Sequence, residues 1–157
     1  MNILCRSAAV CAVMAVTAAP LLMAGEAPAP MQPEQIKWGP APAIFPKGAE
    51  MAVLAGDPGS AGPVTVRLKM PAGYAIAPHW HPTDERVTVI SGHLGLGMGD
   101  TLDKKKSVAL KPGGYAIAQA NMHHFAWAKA ATIVQVDMMG PFALTYVNPA
   151  DDPSKQK

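Results

Sequence analysis

Beyond residue 48 the chain consists of short apolar runs interrupted every few residues by glycine or proline, and no stretch sustains the apolar repeat of a helix. The runs are Glu50 to Ala55, Val64 to Met70, Ala75 to His81, Glu85 to Ile90, His93 to Met98, Ser107 to Leu110, Tyr115 to Ala118, His124 to Trp127, Thr132 to Met138 and Phe142 to Val147. Segments this short and evenly spaced predict an all-β barrel or sandwich, because a helix needs a longer unbroken period to bury one face. Alternation then assigns faces: Glu85 points the same way as Val87 and Val89, toward the interior. An unpaired carboxylate there is very unfavourable, and a bound cation removes that cost.

The amino-terminal segment has a different composition. Arg6 precedes an apolar, alanine-rich run from Ser7 to Met23 that closes on Ala24-Gly25-Glu26-Ala27, the pattern of a secretory signal peptide cleaved between Ala24 and Ala27. The run has about 17 residues before Gly25, short of the ~20 of a membrane span. The expectation is therefore export to the periplasm, with no stable membrane anchor after cleavage. Both cysteines, Cys5 and Cys11, lie in this leader, so the mature chain has no disulfide, no thiol nucleophile and no zinc–thiolate site.

Leader removal at about residue 25 leaves roughly 130 residues, enough for one core. The predicted organisation is a leader over 1–25, a proline-rich arm over 26–48, a barrel over 49–148 and a flexible polar tail over 149–157. Proline excludes the arm from helix and sheet interior, yet Ile36, Trp38, Ile44 and Phe45 are apolar. The arm is expected to pack along the barrel or a partner subunit, and exposed sheet edges predict a homodimer. The formal charge falls from +2 to about +1 without Arg6, so nothing points to nucleic acid. Lys104-Lys105-Lys106, beside Asp100 and Asp103, reads as a solvated loop tip.

Chemistry concentrates in one stretch. His79 and His81 are one residue apart, and on a strand two such imidazoles share a face about 6.7 Å apart along the backbone and can converge on one ion. Pro82-Thr83-Asp84 reads as a turn that returns Glu85 toward the same point. A further histidine, at His123 or His124, follows some forty residues on. The two face opposite ways on a strand, so only one can reach the ion.

The spacing Gly73, His79-Trp80-His81, Glu85, Gly92 resembles the complete first motif of the cupin superfamily, as in small exported single-domain cupins of the quercetin-dioxygenase-like kind. A second block, from Gly113 to Ala128, is similar but altered. Gln119 and Asn121 stand where the family has proline and glycine, and Ala128 where it has asparagine. The resemblance covers about Gly73 to Ala128. It implies a double-stranded β-helix, the jelly-roll or cupin barrel, and its motif spacing selects His124 over His123.

Three imidazoles and one carboxylate, His79, His81, Glu85 and His124, suit one divalent ion, Fe, Mn, Ni, Co or Zn. The ion keeps positive charge with a single carboxylate, so it favours a small chelating oxygenated molecule and acts on it as a Lewis acid. The resemblance implies a dioxygenase in which Glu85 also serves as general base. The alternatives are a binding or sensing cupin without catalysis, and an isomerase or decarboxylase. Tyr115, Gln135 and Tyr146 are further candidates to line the cavity. Gly95-Leu-Gly-Met-Gly99 has no helix after it and does not read as a phosphate loop. It reads instead as side-chain-free positions for close packing or a wider cavity. Met122, Met138 and Met139 lack chelate spacing and read as core. His93 and Arg86 read as surface residues.

Overall fold

All ten expected strands form, and an eleventh precedes them. In the computed structural model, which describes residues 29–156, the strands are β1 Gly39–Pro40, β2 Glu50–Ala55, β3 Gly62–Met70, β4 Ala75–Trp80, β5 Glu85–Ser91 and β6 Leu94–Met98. They continue as β7 Val108–Leu110, β8 Tyr115–Ala118, β9 His124–Ala128, β10 Thr132–Gly140 and β11 Thr145–Tyr146. The leader expected over 1–25 lies outside the described residues. Pairing is antiparallel throughout and builds two sheets, ordered β1-β2-β3-β10-β5-β8 and β11-β4-β9-β6-β7. This is the jelly-roll arrangement, in which two sheets face each other and side chains alternate between core and solvent.

The interior is aliphatic. Val64, Val66, Leu68, Met70, Val87, Val89, Val134, Val136 and Met138 come from the first sheet, and Ile76, Leu94, Leu96, Ala126 and Ala128 from the second. Met138 takes a core position, whereas Met122 and Met139 are exposed. The expectation that all three are core therefore holds for one. Strand alternation explains Met139, which follows an inward residue and must point out.

The glycines of β6 settle into close packing. Gly95 stands opposite Trp127 and Gly97 opposite Phe125 on β9, and a Cβ at either glycine would overlap the facing ring. Leu94 and Leu96, which alternate with them, enter the core. Phe125 is fully buried and cannot swing aside. Gly97→Ala is therefore expected to cost about 1–3 kcal/mol as overpacking, read as a Tm loss on the order of 5–10 °C. An unchanged Tm would show that the ring is free to move.

Lys104–Lys106 form a 3-10 turn capped by the Asp103 side chain, and the Lys104 ammonium lies 4.9 Å from the Trp127 ring centre. The arm packs on its own barrel: β1 pairs with β2, and Phe45 is buried. Where the sequence predicts a flexible tail, Pro149–Asp151 and Pro153–Lys155 wind into 3-10 turns. Asp152 is buried there, accepting hydrogen bonds from the Ser154 amide and hydroxyl. Among the described residues no helix is long and apolar enough to cross a membrane.

Candidate metal centre

A bulge in β4 decides which side chains reach the interior. Ile76 pairs with Ala126 and His79 with His124, so three residue steps on β4 oppose two on β9. The extra residue reverses the alternation. Ile76, His79 and His81 consequently all become buried, although strict alternation would have sent Ile76 to the opposite face from the histidines. Pro78, with no N–H to give the ladder, sits within this irregular step. The Ala77 carbonyl, also in the bulge, accepts the His79 Nδ1–H at 2.8 Å.

The other two imidazoles are held in the same manner. His81 donates Nδ1–H to the Ala143 carbonyl at 2.6 Å, and His124 to the Met122 carbonyl at 3.0 Å. A carbonyl oxygen only accepts, so each Nδ1 carries the proton and each Nε2 is left with a free lone pair in the neutral ring. All three histidines are buried, and one ring nitrogen from each lies within 4.8 Å of the others. Two nitrogens bound to one ion at about 2.1 Å stand at most about 4.2 Å apart, so only a small closure separates this cluster from a ligand set. The Nε2 atoms of His81 and His124 are buried without a hydrogen-bond partner. Buried polar atoms are almost always paired. Orphaned lone pairs aimed at a common centre fit a cation.

Glu85 opens β5 in the facing sheet, and its carboxylate closes the centre from that side. Its Oε2 is 3.3 Å from His124 Nε2 and 3.7 Å from His81 Nε2. With Nε2 unprotonated in the neutral ring, the 3.3 Å approach sets a lone pair beside the carboxylate oxygen, an arrangement that a cation between them satisfies. Burial alone would raise the Glu85 pKa, but His124, His81 and His79 overcome it and hold the carboxyl down at about 2. Burial likewise opposes charge on His124, yet Glu85 raises its pKa above the usual value. His79, farther from the carboxylate, is lowered to about 3 by burial and by the neighbouring His124. A carboxylate held ionised beside imidazole lone pairs is a cation-binding donor set.

His123 faces outward, where its ring pairs with Asp100 at 2.6 Å. His93, in the turn after β5, and Arg86 are both exposed, as expected of surface residues. Tyr115, Gln135 and Tyr146, expected along the cavity, do not line it. Tyr115 is more than half exposed because the inward positions of β8 belong to Ala116 and Ala118, which oppose Val87 and Glu85. Gln135 lies on the outer face of β10, between Arg67 and Asp137. Tyr146 is buried, but its hydroxyl turns to the Ile44 carbonyl.

Apart from the four cluster residues, every side chain lining the cavity is apolar, among them Met51, Leu68, Leu96, Phe45, Phe142 and Leu144. The cavity has a volume of about 40 Å³, room for about three waters. The three carbonyls that orient the imidazoles left no signal in the sequence, because any residue type supplies one. Phe45 had a signal, as an apolar residue in a polar, proline-rich arm.

Comparison with known proteins places this geometry. Residues 26–142 match the model of the ChrR cupin-like domain. A proposed acetylacetone dioxygenase from Methylibium petroleiphilum superposes with a TM-score of 0.63 at 24% identity, over 85% of this chain and 90% of that one. The polyketide cyclase RemF from Streptomyces resistomycificus gives 0.63 at 16% identity, over 81% and 90%. The DMSP lyase DddQ from Ruegeria pomeroyi gives 0.57 at 19% identity, over 73% and 62%. These likenesses are of fold. No curated protein matches in sequence.

Proposed function

The chain belongs to the ChrR cupin-like domain family, and on that premise we propose that it is a metal-dependent dioxygenase acting on a small, largely apolar molecule with two chelating oxygens. The observation that carries the reading is the set of three Nε2 lone pairs, fixed by carbonyl-bound Nδ1 protons and converging beside a buried carboxylate. His79, His81, His124 and Glu85 would hold one divalent ion. When bound, it supplies Lewis acidity toward an oxygenated substrate and, if redox-active, electrons for oxygen chemistry.

The remaining steps belong to the protein. The apolar walls strip water from the substrate and strengthen electrostatics at the centre. Glu85 Oε2, on the cavity side of His81 and His124, takes the proton that an enolisable substrate loses. The same walls argue against a sugar or polyhydroxy acid. Each unpaired hydroxyl buried there would cost about 1–3 kcal/mol, and the lining offers no polar group beyond the cluster. A compact 1,3-dicarbonyl, polar at two oxygens and apolar elsewhere, fits, and this agrees with the activity named for the Methylibium neighbour.

The test begins with elemental analysis of protein purified without an affinity metal, where about one first-row ion per chain is expected. Fe(II)-loaded protein should then consume oxygen when given acetylacetone. Oxygen uptake that does not respond to metal and a panel of 1,3-dicarbonyls would remove the dioxygenase reading. Bound zinc with oxygen-independent turnover would replace it with Lewis-acid chemistry.

A further inference from the structure

The ligands come from β4, β5, β9 and the residue that follows β4, whereas part of the cavity wall comes from the arm. Phe45 belongs to the arm segment between β1 and β2. Its side chain lines the interior cavity and also borders a surface depression of about 220 Å³ shared with Ala41, Ala43, Lys47 and Pro153. No other residue lines both spaces. The Phe45 ring is therefore the partition between the metal centre and this part of the surface.

The partition is fixed at both neighbours. The Tyr146 hydroxyl donates to the Ile44 carbonyl at 2.8 Å, and the Tyr74 hydroxyl donates to the Pro46 carbonyl at 2.6 Å. The carbonyls before and after Phe45 are thus each tied to a buried tyrosine of the barrel. The Phe45 amide bonds the Pro42 carbonyl at 2.9 Å, and Ala41 and Ala49 close the loop at 3.0 Å. Inward, the Phe45 ring centre lies 6.1 Å from that of Phe142, which lies 6.0 Å from that of His81. An aromatic pair so connects the arm to a candidate ligand.

We infer that Phe45 is the specificity-determining residue of this centre: its ring limits how far the apolar part of a metal-bound molecule extends. Leu96 and Leu144 also stand between the cavity and surface depressions. Leu96 is on a barrel strand and Leu144 adjoins Ala143, whose carbonyl orients His81. Of the three, Phe45 alone lies both off the strands and away from the carbonyls that orient the imidazoles. Tyr74 is a positioning residue that acts through the Pro46 carbonyl.

The inference rests on the metal-centre reading and deepens it from a chelating compound to one of bounded length. Co(II)-loaded protein reports ligand entry through its visible spectrum without turnover. Two pairs of probes are titrated, acetylacetone with benzoylacetone and acetate with benzoate. Wild type is expected to bind the smaller member of a pair at least about tenfold more tightly, the discrimination a shaped apolar pocket supplies. In Phe45→Ala the larger member should gain at least about tenfold, while the smaller changes less than about threefold and cobalt stoichiometry holds. Phe45→Leu should fall between, and it keeps the experiment decisive if the alanine variant does not fold. Tyr74→Phe should relax the preference in part.

An unchanged size preference in Phe45→Leu and Phe45→Ala overturns the inference. Failure of both diketones, with the carboxylate pair still responding to Phe45, sinks the 1,3-dicarbonyl reading and leaves the wall standing. If neither pair binds loaded protein, both fall.

Discussion

His124→Ala is expected to lower metal affinity by more than about 100-fold, since removing only a partner that orients a ligand costs 10–100-fold. Bound metal should drop from near one equivalent per chain to a trace after dialysis. His124 merits this choice because its imidazole joins the two sheets of the site. It pairs with His79 across β4 and β9, and it faces Glu85 across the barrel at 3.3 Å. Its deletion removes a donor and the imidazole nearest the carboxylate. The adjacent His123→Ala supplies the control: it faces Asp100 on the outside and should retain full stoichiometry. Equal metal content in the two variants would place the ion elsewhere. The parent should also gain thermal stability on metal addition, by RT ln(1 + [L]/Kd), and His124→Ala should lose that gain.

The readability of this molecule follows from how local each feature is. Strand positions were legible because glycine and proline interrupt the runs and alternation marks the faces, as in Glu85-x-Val87-x-Val89. His79-x-His81 was legible for the same reason. The β4 bulge was not: it depends on how β4 registers against β9, and only that register shows why Ile76 and His79 are both interior. The altered second motif acquires a physical account. Asn121, standing where the related family has glycine, adopts φ 61°, the left-handed region that asparagine tolerates better than most residues. Its amide bonds the His81 carbonyl at 2.8 Å, so the turn still anchors a ligand strand. Ala128, in the place of an asparagine, is fully buried beside Leu94. Neither substitution disturbs the donor set. The cavity wall at Phe45 required long-range contacts with Tyr74 and Tyr146 that no local pattern encodes.

Glu85→Gln separates holding the ion from moving a proton. Glutamine preserves shape and an acceptor oxygen, so three imidazoles still converge and metal is expected to be retained, weakened by about tenfold for the lost charge. The amide cannot take a proton at neutral pH. If Glu85 is the base, oxygen uptake with a 1,3-dicarbonyl should fall by about 10²–10⁴-fold at saturating metal, with the Co(II) spectral response to the same compound preserved. The position favours this outcome. The carboxylate is held ionised by the imidazoles around it, it stands near two of the three histidines rather than at the centre of all three, and with the imidazoles engaged on the ion no other proton acceptor among the described residues lines the cavity. Loss of metal in parallel with activity would make Glu85 a ligand alone. Retention of both would assign proton removal to the substrate's own acidity on the ion, with the carboxylate serving only to balance charge.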